Sequence, residues 1–118
     1  LVWEKITYPE ISFGEDQAWA WQVIEAGYGK VYGRDAVVYH SHNFLPEETF
    51  SRSLEEASFF QKTFGYELVN KDNIYEQIKL LNEHDSQWGR DKNLDEKVII
   101  MRQKNNEARI HGYMTALK

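Results

Sequence analysis

Residues 13–28 read FGEDQAWAWQVIEAGY. Two acidic residues follow a glycine, and apolar side chains then recur at intervals of three and four, which predicts a helix beginning at Glu15. Acidic side chains are favoured in a first turn by the helix dipole. Gly27 is typical of the residue that follows the end of a helix. The stretch therefore predicts a helix from Glu15 to about Ala26.

The segments on either side of this helix have a different composition. Residues 30–32 and 36–39 are rich in β-branched and aromatic side chains and are separated by the turn-like sequence Gly-Arg-Asp at 33–35. This pattern predicts two short strands. Residues 1–12 are expected to be extended or in loops, because Pro9 biases the residue before it away from the helical region.

The rest of the chain predicts three further helices. Pro46 suits a first helical position, and apolar residues keep a helical period from there to Phe64. Another helix is expected from Asn73 to about Glu83, followed by a polar loop over residues 84–92. A capping box of Asn93 with Glu96 would open the last helix. This helix is expected to carry the apolar residues Leu94, Val98, Met101, Ala108 and Leu117.

The composition excludes several classes of protein. The chain has 118 residues, 14 Lys+Arg against 19 Asp+Glu, a net charge of −5 and no Cys. The acidic balance argues against a nucleic-acid partner, and the absence of Cys excludes disulfides and thiolate sites. No apolar run is long enough for a membrane span. The chain begins at Leu1 without an initiator Met, so we expect it to be a piece of a longer protein.

Glu15 and Asp16 have two possible roles. They could simply satisfy the N-terminus of the helix. Alternatively, one carboxylate could act as a general base, which requires an acceptor hydroxyl within about 3 Å. Gly14 would then allow the backbone to approach a ligand closely. The sequence alone leaves both interpretations open.

A second candidate site is the pair His40 and His42. If the preceding strand continued, alternation would put both imidazoles on one face and Ser41 on the other. Such a pair could share a divalent metal ion, or it could merely close a strand. Only Glu15 and Asp16 offer further ligands upstream.

The order of these features resembles a known family. The sequences GEDQAW at 14–19, AGY at 26–28 and VYHSH at 38–42 are similar to motifs in the C-terminal part of family 2 glycosyltransferases with the GT-A fold. The nearest members are the bacterial rhamnosyltransferase-like enzymes. The resemblance extends roughly from Pro9 to Gly65. It implies an α+β fragment of a GT-A α/β fold, with the acceptor-side helix and short strands in residues 1–65 and a helical extension in 66–118.

The resemblance also implies roles for individual residues. Asp16 matches the catalytic base of an inverting transfer, and Glu15 matches its acidic neighbour at the acceptor. Gly14 and Trp19, in the same motif, are candidates for substrate binding. His40 matches a residue that completes the coordination of Mn²⁺ or Mg²⁺ on the donor diphosphate, and His42 is the second choice for that role.

The implied function is transfer of a sugar from a nucleotide-sugar donor to a saccharide acceptor, in the synthesis of surface polysaccharide. The implied location is the cytoplasm, at the inner face of the membrane. The chain contains no Asp-x-Asp motif and lacks the nucleotide-binding half, so we expect this fragment alone to be inactive. Exposed apolar surface could support a homo-oligomer. Two other functions stay open: a helical protein-interaction module and a metal-dependent hydrolase that uses His40 and His42.

Overall fold

All regular secondary structure in the described part of the chain is helical. The computed structural model describes residues 1–40 and 42–117. A short 3₁₀ turn at Lys71–Asn73 precedes the fourth helix. The α-helices are α1 (Val2–Lys5), α2 (Glu15–Glu25), α3 (Pro46–Phe64), α4 (Ile74–Asp91) and α5 (Glu96–Ala116).

The prediction of an α+β fragment with two short strands is wrong. Residues 30–40 have no strand structure, and Val31 and Val38 are 88% and 81% exposed. The strand preference of such residues is a preference for a pleated, half-buried surface. A strand also needs a partner for its backbone N–H and C=O groups, and no strand lies elsewhere in residues 1–40 and 42–117.

The chain divides into two compact units, Leu1–His42 and Asn43–Lys118. The division after His42 describes how compactly the chain is folded. The boundary at residue 65 is expected from the family resemblance, and it stays a prediction. The first unit contains α1 and α2, so the expectation that residues 1–12 are wholly irregular is wrong for Val2–Lys5.

Helix α2 begins and ends as the sequence predicts. Gly27 adopts a positive φ of 85°, which a glycine tolerates without steric cost. Its N–H donates to the carbonyl of Ile24 at 2.9 Å, and the N–H of Tyr28 donates to the carbonyl of Val23 at 3.1 Å. These two bonds form a Schellman motif, which satisfies carbonyls left unpaired at a helix end. The Ala-Gly-Tyr sequence at 26–28 is therefore explained by its local role in ending α2.

In the second unit, α5 packs against both α3 and α4. Helix α3 begins at Pro46, as predicted, and the carboxylate of Glu48 accepts a hydrogen bond from the N–H of Leu45 at 2.8 Å. A cluster of buried residues forms the main apolar contact, with partly buried neighbours around it. The cluster is Val69, Ile74 and Ile110, surrounded by Ile78, Tyr113, Met114 and Leu117.

The predicted polar loop at 84–92 is wrong, because α4 continues to Asp91. Its inward-facing side chains are polar, and their partners are polar side chains of α5. The carboxylate of Asp85 accepts hydrogen bonds from Arg102 and Asn106, both at 3.2 Å. Gln103 donates to the hydroxyl of Ser86 at 2.8 Å. A search for apolar periodicity cannot detect a helix whose buried face is polar.

The predicted capping box is also wrong. Asn93 has a φ of 53° and ends α4, with its N–H donating to the carbonyl of Arg90 at 3.0 Å. Asn is one of the few residues other than Gly that adopt this left-handed conformation readily. Asp95 caps α5 instead, because its side chain accepts a hydrogen bond from the N–H of Lys97 at 2.8 Å.

Two of the apolar residues predicted along the last helix are largely exposed in α5. Val98 is 46% exposed and Met101 is 40% exposed, whereas Ile99 and Ile110 are buried.

Across the described residues, no helix combines the length and the apolar character needed to cross a membrane.

Candidate active site

The acidic pair lies at the start of α2, where the sequence places it. Gly14 is the residue before the helix, is buried, and has a φ of 73°. Its carbonyl accepts the first helical hydrogen bond, from the N–H of Ala18 at 2.9 Å. Glu15 and Asp16 follow as the first two helical residues, and both side chains are exposed. The left-handed conformation explains why glycine precedes the acidic pair, independently of any approach to a ligand.

The carboxylate of Asp16 has a backbone partner. Its Oδ1 atom accepts a hydrogen bond from the N–H of Gln17 at 2.8 Å. This N–H belongs to the first turn of the helix, where backbone donors have no partner within the helix. The bond therefore restricts the orientation of an exposed carboxylate at the helix N-terminus.

Trp19 is held by two contacts with the segment that precedes α2. Its indole Nε1–H donates to the carbonyl oxygen of Ile6 at 2.5 Å. Its ring stacks on Tyr8 with 4.8 Å between the ring centroids and 9° between the planes. The indole nitrogen is the only polar atom of this side chain, so its hydrogen-bonding capacity is used inside the protein.

A groove of about 300 Å³ runs beside α2 in the first unit. Ala20 and Val23 contribute to its wall from the helix, and Asp16 precedes them by four and seven residues, which puts it on the same helical face. The groove is largely apolar, with a lysine and a tyrosine as its polar contributors. Its lining is Val2, Trp19, Ala20, Val23, Tyr28, Gly29 and Lys30.

His40 and His42 come together, but they do not form a metal site with other residues. Their ring centroids are 4.2 Å apart in an edge-to-face arrangement, and both residues are exposed. Ser41, expected to point away from them, lies outside the described residues. Within residues 1–40 and 42–117, no three His, Cys, Asp or Glu side chains are grouped so that they could hold a metal ion.

The donor set does not fit the expected Mn²⁺ or Mg²⁺ within this chain. Mg²⁺ in particular prefers oxygen ligands in a near-octahedral arrangement. The pair offers two imidazoles, and Glu15 and Asp16 do not join them in a group of three or more ligands. A role for His40 or His42 at a metal ion stays a prediction.

Sequence reasoning missed the residues that hold Trp19. Tyr8 and Ile6 lie 11 and 13 positions before it, and no repeat of 2 or 3.6 residues connects them. The Ile6 contact uses a backbone carbonyl, which leaves no trace in the side-chain pattern. An aromatic residue directly before Pro9 was the one available signal.

Comparison with known proteins relates part of this chain to part of a glycosyltransferase. The relative is the O-antigen chain rhamnosyltransferase of Salmonella typhimurium, which is 38% identical over 72 residues. The match includes 54% of this chain and 23% of that protein, so the chain spans less than a quarter of the relative's length. No family model and no solved structure matches the chain. Membership of family 2 therefore stays a prediction.

Proposed function

We propose that this chain is part of an inverting family 2 glycosyltransferase that transfers a sugar from a nucleotide-sugar donor to a saccharide acceptor in the synthesis of a surface polysaccharide. The observation that carries the proposal is the 38% identity over 72 residues with a rhamnosyltransferase that acts on an O-antigen chain. Nucleoside-diphosphate rhamnose is therefore the donor to test first. We place the reaction in the cytoplasm, as the family resemblance implies.

In the proposed reaction, Asp16 is the general base. Its carboxylate takes the proton of an acceptor hydroxyl while the hydroxyl oxygen attacks the anomeric carbon of the donor sugar. A bond forms between that oxygen and the anomeric carbon, and the bond from the anomeric carbon to the diphosphate oxygen breaks. The nucleoside diphosphate leaves with the electron pair, and the configuration at the anomeric carbon inverts.

The position of Asp16 supports this role. The side chain is exposed in the first turn of α2, and its bond to the Gln17 N–H fixes one carboxylate oxygen. Glu15 is beside it and is exposed as well, which suits a contact with the acceptor. Because the described residues do not supply a complete set of metal ligands, no step of the proposal depends on a metal ion.

Replacing the proposed base tests the proposal. In the complete protein that carries this chain, Asp16→Asn should lower kcat by about 10²–10⁴-fold, the usual contribution of general acid–base catalysis. The asparagine amide oxygen can still accept the Gln17 N–H, so the helix start should be preserved. The measurement is the release of nucleoside diphosphate from nucleoside-diphosphate rhamnose in the presence of a rhamnose-containing oligosaccharide, with mass spectrometry of the product.

Glu25→Gln is the matched control, because it removes one negative charge from an exposed position at the other end of the same helix. This variant should transfer sugar as the parent does. If Asp16→Asn also keeps the parental rate, the assignment of the base is wrong. If the parent shows no transfer with any nucleotide-sugar donor, the glycosyltransferase proposal itself fails. A helical interaction module predicts that second result, but no observation favours it.

A further inference from the structure

We propose that Trp19 is a positioning residue for Asp16 and not a primary contact of the acceptor. This inference rests on the proposed function, because it concerns how the proposed base is held. It differs from the expectation that Trp19 binds substrate. The argument depends on what the indole ring contacts within the first unit.

The hydrogen bond to Ile6 is the first part of the argument. An indole has one N–H and no acceptor, so a Trp19 that donates to the Ile6 carbonyl has no donor left for a sugar hydroxyl. Breaking that bond to serve a substrate would leave the carbonyl unpaired in a partly buried place, which costs about 1–3 kcal/mol. The bond is therefore expected to persist when a ligand is present.

The stack on Tyr8 is the second part. The two rings are nearly parallel, with an angle of 9° between their planes, and Tyr8 covers one face of the indole. Tyr8 is directly followed by Pro9, whose ring restricts the backbone on both sides of the bond between them. Trp19 is thus attached to a stiff segment by a directional bond and by ring contact.

The helix transmits this attachment to Asp16. Asp16 lies three residues before Trp19, so the two side chains are neighbours on adjacent turns of α2. Both residues follow Gly14, whose left-handed backbone joins α2 to the preceding segment and could otherwise act as a pivot. Fixing Trp19 to residues 6–8 restrains this pivot. A misplacement of about 1 Å at a reacting group can cost on the order of 10²-fold in rate, so such a restraint has a kinetic consequence.

The rival role is direct contact, because Trp19 also contributes to the wall of the groove beside α2. The two roles predict different kinetic effects of Trp19→Phe. Phenylalanine keeps an aromatic ring against Tyr8 and loses only the N–H donor. A positioning role predicts that kcat falls by up to about 10²-fold, with little change in KM for the acceptor. Direct contact predicts that KM rises while kcat is kept.

The experiment combines these kinetics with amide hydrogen exchange, which needs no substrate. Both are measured on the complete protein, using nucleoside-diphosphate rhamnose as the donor. Trp19→Phe should raise exchange at the amides of residues 15–18 and lower kcat. Trp21→Phe, two positions away on a different helical face, is the control and should leave exchange in that turn unchanged.

Four outcomes are distinguishable. Faster exchange with reduced kcat and unchanged KM supports the proposal. Unchanged exchange at residues 15–18 overturns it, whatever the enzyme does. Faster exchange with raised KM and normal kcat also overturns it and makes Trp19 an acceptor contact. If the parent transfers no sugar, the proposed function has failed, and a catalytic role for Trp19 fails with it. Faster exchange in Trp19→Phe would then show only that Trp19 holds the first turn of α2 in place.

Discussion

Gly112→Ala should weaken the contact between α3 and α5. A Cβ atom at this position would lie 2.6 Å from the carbonyl oxygen of Phe50, 2.9 Å from Cβ of Ser53 and 3.1 Å from the backbone N of Leu54. Carbon atoms in favourable contact are about 3.5–4.0 Å apart, so the Ser53 contact alone requires a shift of roughly 0.6 Å. Two of the three nearest atoms belong to the backbone of α3, so a change of side-chain rotamer cannot provide the space.

The magnitude follows from two opposing effects. Overpacking of this kind costs about 1–3 kcal/mol. Alanine recovers about 1 kcal/mol, because glycine is unfavourable inside a helix. The expected net loss in the free energy of unfolding is therefore about 1 kcal/mol, and up to about 2 kcal/mol if α3 resists the shift. With a urea m-value of about 1–3 kcal/mol/M, a loss of 1 kcal/mol lowers the midpoint by about 0.3–1 M.

The assay is urea denaturation followed by circular dichroism, with hydrogen exchange of the α5 amides to locate the loss. Gly89→Ala is the matched control, because it is the other glycine inside a helix. Its added Cβ would meet Cγ1 of Ile99 at 2.7 Å and Cδ1 at 2.9 Å, and these are atoms of a side chain that can rearrange. Its cost should be smaller. A Gly112→Ala chain as stable as the parent, or a larger cost for Gly89→Ala, would refute the reasoning.

Two further predictions concern ionisable groups of the second unit. Burial raises the pKa of Asp85, but hydrogen bonds from Arg102 and Asn106 outweigh it and hold the pKa below its usual value. The stabilisation from a lowered pKa is present above the unfolded value of about 4 and is lost as the pH falls through the folded value, so Asp85→Asn should reduce the fall in Tm between about pH 5 and pH 2. An equally steep fall in the variant would contradict this. Tyr113→Phe removes the hydroxyl that donates to Oε2 of Glu56 at 2.7 Å, and should cost about 1–3 kcal/mol in urea denaturation; a neutral result would show that water replaces this bond.

Helix ends could be predicted where their signals are local. Gly27 ends α2 because its own backbone adopts a positive φ. Pro46 begins α3 because its ring fixes its own φ and restricts the residue before it. Asn93 shows the limit of such signals. The same residue type can cap the start of a helix or adopt a left-handed conformation at its end, and here it does the second.

The segment over residues 30–40 could not be predicted from local preference. Val31 and Val38 have side chains that favour strands, but a strand exists only when another strand pairs with it. The candidate site could also be predicted only in part. The place of Asp16 in a first turn followed from the sequence, whereas the contacts of Trp19 with Ile6 and Tyr8 depend on how a loop folds back.

The sequence predicts the last helix but not how α5 packs, because α5 contacts its two neighbours by different physical means. Toward α3 it offers Gly112, and small buried residues of α3 such as Ser53 and Ala57 allow close approach. Close approach of this kind depends on shape, and it leaves no run of large apolar residues in the sequence.

Toward α4 the same helix uses hydrogen bonds. Asn106 donates to Oδ1 of Asn82 and to Oδ2 of Asp85, both at 3.2 Å, and these bonds require one relative position of the two helices. A partner removed from a buried polar network costs more than an intact network contributes, so we infer that this contact selects the register of α4 against α5 more than it adds stability. A helix recognised by shape on one side and by hydrogen bonds on the other needs no single apolar stripe. This arrangement explains why Val98 and Met101 are largely exposed while Asn106 is buried.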